Sequence, residues 1–586
     1  MPDYDLVFRG GTVYDGTANA IPTRADVGVR DGIVVTLSAS PLPEGRRTID
    51  ATGKWVMPGM IDVHTHYDAE VLTHPGLAES VRHGVTSVVI GNCSLSTVYC
   101  DADDCADMFA RVEALPWDTV HSAVKEHQSW DGPRAYVDAL EARPLGQNVA
   151  AFIGHSDIRV AAMGLERAVT KGENPTVAEL DAMRDMLSDA LDEGFVGLST
   201  IRSSFSKLEG TRFPARQLPS TYAGWREYRM LNALLRQSDR VHQSTPNLTR
   251  RAETALFFAQ SAGRPLGRRP LKTTLISAAD IKADRSVWRL TTTAAKLFNN
   301  VLGADFRWQH LPVPFELYAD GIDLVVFEEF GSGATALNIR DELGRGKLLA
   351  DESYRRAFRK DLAKRFGSRV WHRDLNDAQI VACPDPAVIG LSFGDVGEMR
   401  GTTPGDALLD LAVEHGRALR WRTTIANDRD EVLDRLALSP DVQIGFSDSG
   451  AHLRNMAFYN FGLRMLERVH HRGFMPLAKA IHRLTGELAD WYGLDAGRLG
   501  VGSRADIAVV DPAGFDGSSG RYAEAPAPGL ADLNRMVNRN EGAISATIVN
   551  GHVVYQDGEF ADGFGTTLHA GTFLRAGQRD RRPVTA

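Results

Sequence analysis

Eight short apolar runs recur through the middle of this chain, with helical patterns between several of them. They are residues 56–63, 87–91, 149–154, 196–200, 241–244, 273–277, 422–426 and 443–448. Strands that alternate with helices form a parallel sheet, because each return to the same edge needs a crossover. Eight such units are the number that closes a (β/α)₈ barrel. Val177 to Gly194 is the clearest helix between them. The stretch from about 285 to 420 is too long for an ordinary connection and is expected to be a partly helical insertion over the barrel mouth.

The two ends of the chain use a different grammar. Ala25 to Val29, Asp31-Gly32 and Ile33 to Val35 predict a hairpin with a tight turn, and Ala543 to Val549, Asn550-Gly551 and His552 to Tyr555 predict another. Ala505 to Val510 is a further strand. The expectation is a small β-sandwich built from residues 1–57 and 491–586, around a barrel at 58–490. The last residues, from about Arg575, are expected to be a solvated tail.

Composition removes several function classes. A net charge of −9 leaves no basic footprint for nucleic acid. Four cysteines in 586 residues are too few for a disulfide framework. The start lacks the pattern of a secretory signal, and no apolar run approaches the roughly 20 residues of a membrane span. The expectation is a cytoplasmic protein with no membrane partner.

Chemistry concentrates at the ends of the predicted strands. Pro58 to Asp68 carries His64 and His66, and residues i and i+2 of a strand share a face. Two imidazoles at a strand's C-terminal end, where barrel sites lie, suit a divalent metal. Asp448 ends the last strand; a carboxylate there can ligate a metal or carry a proton, or merely make a turn. Cys93, after the second strand, is either a zinc ligand or a small buried hydrophobe. His242 on strand five is either a ligand or a structural histidine. His155 ends the third strand, and Arg159 follows it; Arg159 can pair with a substrate carboxylate or with a barrel acid.

These blocks together resemble the amidohydrolase superfamily and, within it, the N-acyl-D-amino-acid deacylase (D-aminoacylase) family. The resemblance spans nearly the whole chain, from Asp5 to Gly16, through Pro58 to Asp68, His83 to Cys93, Gly154-His155 with Arg159, Glu193 to Thr200 and Ser447 to His452, to Val549-Asn550-Gly551. It implies a TIM-like barrel with a β-sandwich, zinc, and hydrolysis of a small-molecule amide, most closely an N-acyl amino acid. It also implies a homo-oligomer. Carried over, it makes His64, His66, Cys93, His242 and Asp448 the metal set, with Asp448 the catalytic acid–base. Tyr67, His155, Arg159, Ser199 and His452 are its substrate-side candidates.

The chain also departs from that family. The strand-six segment, Ile276 to Lys282, has no histidine; Asp280 replaces one only if its loop turns inward. Strand four ends Leu198-Ser199-Thr200, with no lysine or acid to bridge two metals. One main Zn²⁺ is therefore expected. The same scaffold also accommodates hydrolysis of a cyclic amide, ester or lactone. A non-enzymatic alternative is a barrel that has lost catalysis and serves as a binding or scaffold protein.

Overall fold

Runs that are apolar throughout suit strands covered on both faces. Val85–Ile90 and Asn148–Gly154 are buried at every position. The computed structural model describes residues 3–203, 205–247, 251–264, 267–364, 369–530 and 533–578; the side chains of 251–254 and 258 also fall outside it.

The barrel strands run in chain order. They are Met60–Asp62 with its continuation His64–Thr65, Val85–Ile90, Asn148–Gly154, Gly197–Ile201, Val241–Thr245, Lys272–Ile276, Asp305–His310, and Val442–Ile444 with its continuation Phe446–Ser449. Neighbours pair in parallel. The barrel closes where Val63 N–H donates to Gly445 O at 2.8 Å and His64 lies beside Phe446. Ile61, Val63, Val89, Phe152, Val196 and Val241 pack together inside it, with Leu488, Tyr492 and Leu574.

One expected strand is wrong. The seventh barrel strand is Asp305–His310, and Arg420–Ala426 is instead the centre of a three-stranded antiparallel sheet with Phe315–Asp320 and Gln379–Ala382. The alternation in Arg420–Ala426 explains this: Trp421, Thr423 and Ile425 are buried while Arg422 and Thr424 are half-buried, the signature of a sheet covered on one face. Asp305–His310 hides because Asp305, Arg307 and Gln309 make it polar on alternate positions. The insertion therefore occupies residues 311–441, and Val287–Leu302 is the ordinary helix between strands six and seven.

The expected helix at Val177 is present as Val177–Asp192. Thr176 and Glu179 form its capping box, and Gly194 breaks the chain beyond it at φ +93°. Both ends of the chain join one nine-stranded sheet, in which Trp55–Pro58 pairs antiparallel with Ile507–Val510. Both expected hairpins are in it. Asp31-Gly32 and Asn550-Gly551 hold φ of +50° and +73°, and +49° and +81°, as two-residue turns between twisted strands require. The tail is not free from Arg575: Leu574 and Ala576 are buried in the barrel cluster, and residues 579–586 lie outside the described residues.

Candidate metal centre

The strand period places His64 and His66 on the same side at the C-terminal mouth of the barrel. Pairing with strand eight fixes them, since His66 N–H donates to Ser449 O at 2.7 Å. Cys93 reaches the same point from a kink after strand two. Gly91, Cys93 and Ser94 all have positive φ, and a Cβ on Gly91 would strike the Phe152 carbonyl, so only glycine fits there. Neighbours hold the kink: Asp68 Oδ1 accepts from Gly91 N–H at 3.0 Å, Gln243 Oε1 from Cys93 N–H at 3.1 Å, and Ser199 Oγ from Ser94 N–H at 3.0 Å.

His64, His66 and Cys93 are all buried, and one donor atom from each lies within 4.8 Å of the others. Cys93 Sγ is 3.4 Å from His64 Nε2. Asp448 Oδ1 closes the group at 3.2 Å from His66 Nε2 and 3.6 Å from His64 Nε2. Ligands at ordinary zinc–nitrogen, –oxygen and –sulfur distances in a tetrahedron are spaced about 3.3–3.6 Å apart. These donors have the spacing and the softness of a divalent metal cradle. Burial pushes the Cys93 thiol up, but the two imidazoles beside it bring it down to about 6, toward the thiolate that binds metal. Burial also opposes charge on Asp448, yet His66 and His64 hold its carboxyl well below the usual range. Asp448 has φ +60°, a left-handed conformation that costs about 1 kcal/mol and aims its carboxylate into the mouth.

The two histidines of the cluster are oriented from behind. His64 Nδ1 meets Gln309 Oε1 at 2.6 Å, and His66 Nδ1 faces the buried Glu113 Oε1 at 3.3 Å. The hydrogen bond to Gln309 turns His64 Nε2 toward the cluster, and Glu113 lies close to His66 Nδ1 without a hydrogen bond between them. Burial raises the Glu113 carboxyl well above its usual range, and the adjoining His66 opposes that shift.

The structure corrects His242. It sits on the outer side of strand five, its ring 5.5 Å from Phe257 and 6.1 Å from Tyr228, with Nε2 3.1 Å from Thr200 Oγ1. Burial depresses its pKa to about 3. Val241 and Gln243 take the inner positions, and the strand-five side chain that meets the cluster is Thr245, with Oγ1 3.3 Å from Cys93 Sγ. Asp280 does not replace a strand-six ligand: it is fully buried between Arg285 and Arg429.

The substrate-side candidates divide. His452 lines the cavity above the cluster. Arg159 and His155 are wholly buried and both bind Glu227. Tyr67 is buried with its hydroxyl 2.7 Å from Ser80 Oγ. Ser199 Oγ donates to Gly91 O at 2.5 Å, so it braces the Cys93 kink. Sequence reasoning missed Glu113, Gln309, Gln243 and Thr245. Only Gln243 and Thr245 carried a signal, the strand alternation that makes them face opposite to His242.

The cavity over the cluster measures about 750 Å³. The insertion forms one wall through Asp320, Leu324, Val325, Glu328 and Leu337; Ser203, Phe205, Ser206 and Glu209, and the residues after strand eight, form others. Among the described residues, no helix is long and apolar enough to cross a membrane.

Residues 47–294 match the model of the Amidohydrolase family. An uncharacterised protein of Mycobacterium tuberculosis is 49% identical over 588 residues, covering 98% of this chain and 96% of its own length. The N-acyl-D-glutamate deacylase of Alcaligenes xylosoxydans xylosoxydans is 36% identical over 198 residues, which is 33% of this chain and 37% of that enzyme. Among solved structures, the N-acyl-D-glutamate deacylase of Bordetella bronchiseptica, complexed with zinc and a phosphonate inhibitor, aligns over 98% of this chain and 100% of its own at 25% identity and a TM-score of 0.61. A D-aminoacylase described by one-metal activation and second-metal attenuation aligns over the same shares, at 24% identity and a TM-score of 0.61.

Proposed function

Because this chain belongs to the amidohydrolase family, in its D-aminoacylase-like branch, and is a hydrolase of carbon–nitrogen bonds other than peptide bonds, we propose that it cleaves the amide bond of a small N-acyl compound with one zinc ion held by His64, His66 and Cys93. The observation that carries this reading is the convergence of those three buried donors with Asp448 at the floor of one cavity. Zinc in this cradle supplies Lewis-acid catalysis to the amide carbonyl.

The chain's own residues supply the rest. Asp448 stands at the cavity floor with Oδ1 3.2 Å from His66 Nε2, where it can accept the proton of the attacking water and return it to the leaving nitrogen. Gln309 and Glu113 hold the imidazoles in place behind it. The strand-four and strand-five ends offer Ile201 and Thr245 where a second metal needs ligands, which favours a single ion. The zinc in the complexed N-acyl-D-glutamate deacylase structure supports the choice of metal. A scaffold that had lost catalysis has no physical reason to keep the thiol and both imidazoles in mutual contact.

Asp448→Asn tests the assignment. It preserves size and a polar group but removes the proton acceptor. Zinc content should stay near that of the native chain while kcat falls roughly 10²–10⁴-fold on any amide the native chain cleaves. Near-native turnover would remove Asp448 from the mechanism.

A further inference from the structure

Strand five grips Cys93 at two points. Gln243 and Thr245 stand two residues apart on Val241–Thr245, so their side chains share a face. Gln243 Oε1 accepts from Cys93 N–H at 3.1 Å, and Thr245 Oγ1 lies 3.3 Å from Cys93 Sγ. The first contact fixes the course of the kink after strand two. The second reaches the one side-chain atom of Cys93 that can bind a metal. Thr245 is itself held: it pairs in register with Ile201, and its carbonyl accepts from Arg202 N–H at 2.9 Å. A β-branched side chain has little freedom at χ1, so the hydroxyl keeps its aim. Packing alone does not call for a hydroxyl here. Ile201 and Ile276, on the strands to either side, line the same cavity with aliphatic groups.

Cys93 is buried, and its sulfur meets both the Thr245 hydroxyl and, at 3.4 Å, His64 Nε2. A cysteine that ligates a metal does so as the thiolate, which has no proton to give. The hydroxyl is then the donor in this contact. A hydrogen bond to a ligating sulfur draws charge from the metal–sulfur bond and leaves the ion more electron-poor. A more electron-poor ion is a stronger Lewis acid toward an amide carbonyl.

We propose that Thr245 is a positioning residue of the metal centre: its hydroxyl donates to the Cys93 thiolate and sets how much charge the sulfur gives to the metal. This inference rests on the metal set proposed above. It assigns Thr245 no bond to the metal and no proton transfer; the residue acts through Cys93.

Cobalt(II) tests it, because a thiolate ligand gives Co²⁺ a charge-transfer band whose energy follows the electron richness of the sulfur. The native chain, Thr245→Val and Thr245→Ser are loaded with Co²⁺, and their absorption and circular dichroism spectra are compared. Valine keeps the shape and removes the donor; serine keeps the donor. Thr245→Val should bind as much Co²⁺ as the native chain and move the band to longer wavelength, and Thr245→Ser should return it toward the native position. With zinc, kcat of Thr245→Val on any amide the native chain cleaves should fall roughly 10-fold at little change in KM, and serine should recover most of the loss. A band at the same wavelength in all three proteins overturns the inference and leaves Cys93 a ligand. Loss of bound Co²⁺ in Thr245→Val also overturns it, because Thr245 would then hold the cradle together instead of tuning it. A native chain that binds Co²⁺ without the band removes Cys93 from the metal set and overturns the reading on which the inference rests.

Discussion

Glu113 follows the helix Ala102–Val112 and brings a buried carboxylate to the far side of the His66 ring. Its own backbone carbonyl accepts from His452 N–H at 2.6 Å, so the same residue also ties down the segment after Asp448. A carboxylate behind a ligand histidine fixes its tautomer and raises its basicity, and such partners are worth 10–100-fold in metal affinity. Glu113→Ala should therefore weaken zinc binding by about that factor in chelator competition, with Glu113→Gln intermediate because it keeps an acceptor. Unchanged affinity in both would reduce Glu113 to a packing residue. Nothing in Val112-Glu113-Ala114-Leu115-Pro116 marks it; its role arises from a loop folding back over the barrel mouth. His64, His66 and Cys93 were legible because strand-end position and ligand chemistry coincide in local sequence. His242 misled because its residue type was right and its strand phase was wrong by one, which turns a side chain to the opposite face.

At the scale of elements, Arg159 on the helix His155–Met163 and Glu227 on the helix Trp225–Gln237 form an ion pair out of contact with solvent, shared by His155. Burial opposes the charge on Glu227, but His155 and Arg159 lower its pKa below the usual value. Removing one partner strands the other, which costs about 3–5 kcal/mol. Arg159→Met should lower the urea midpoint accordingly and leave KM of the folded fraction unchanged; a raised KM at native stability would return Arg159 to the substrate. A second element carries a pH response. His83 ends the short helix Ala78–Arg82, is fully buried, and has neither ring nitrogen hydrogen-bonded. Burial lowers its pKa to about 4; Glu79 opposes this, and Arg82 and Arg539 reinforce it. The unfolded chain takes up this proton below about pH 6.5 while the folded chain resists until about pH 4. Stability is thus fully present above pH 6.5 and falls across that window, by about 3 kcal/mol from this residue. His83→Leu should flatten that part of the unfolding free energy against pH; an unchanged slope would show that His83 is not its source. The sequence allowed Arg159 a barrel acid as partner but did not single out Glu227, and the unpaired ring was not legible, because each depends on which helix packs against which.

At the scale of the molecule, the barrel, its order of strands and its β domain from both ends follow from patterning, since covered strands and two-residue turns leave local signatures. The seventh strand did not, because Asp305–His310 carries polar residues on alternate positions and the insertion supplies a more strand-like run at Arg420–Ala426. That insertion also contributes one wall of the cavity, which the strand ends alone did not make legible. The proposed chemistry requires one zinc ion at the mouth of this barrel. A crystal of the purified chain, measured on both sides of the zinc absorption edge, tests it most directly. One anomalous peak per chain is expected, bounded by His64, His66 and Cys93, with Asp448 beside it. A peak held by His242, a peak without Cys93, or no peak from zinc-loaded protein would contradict it.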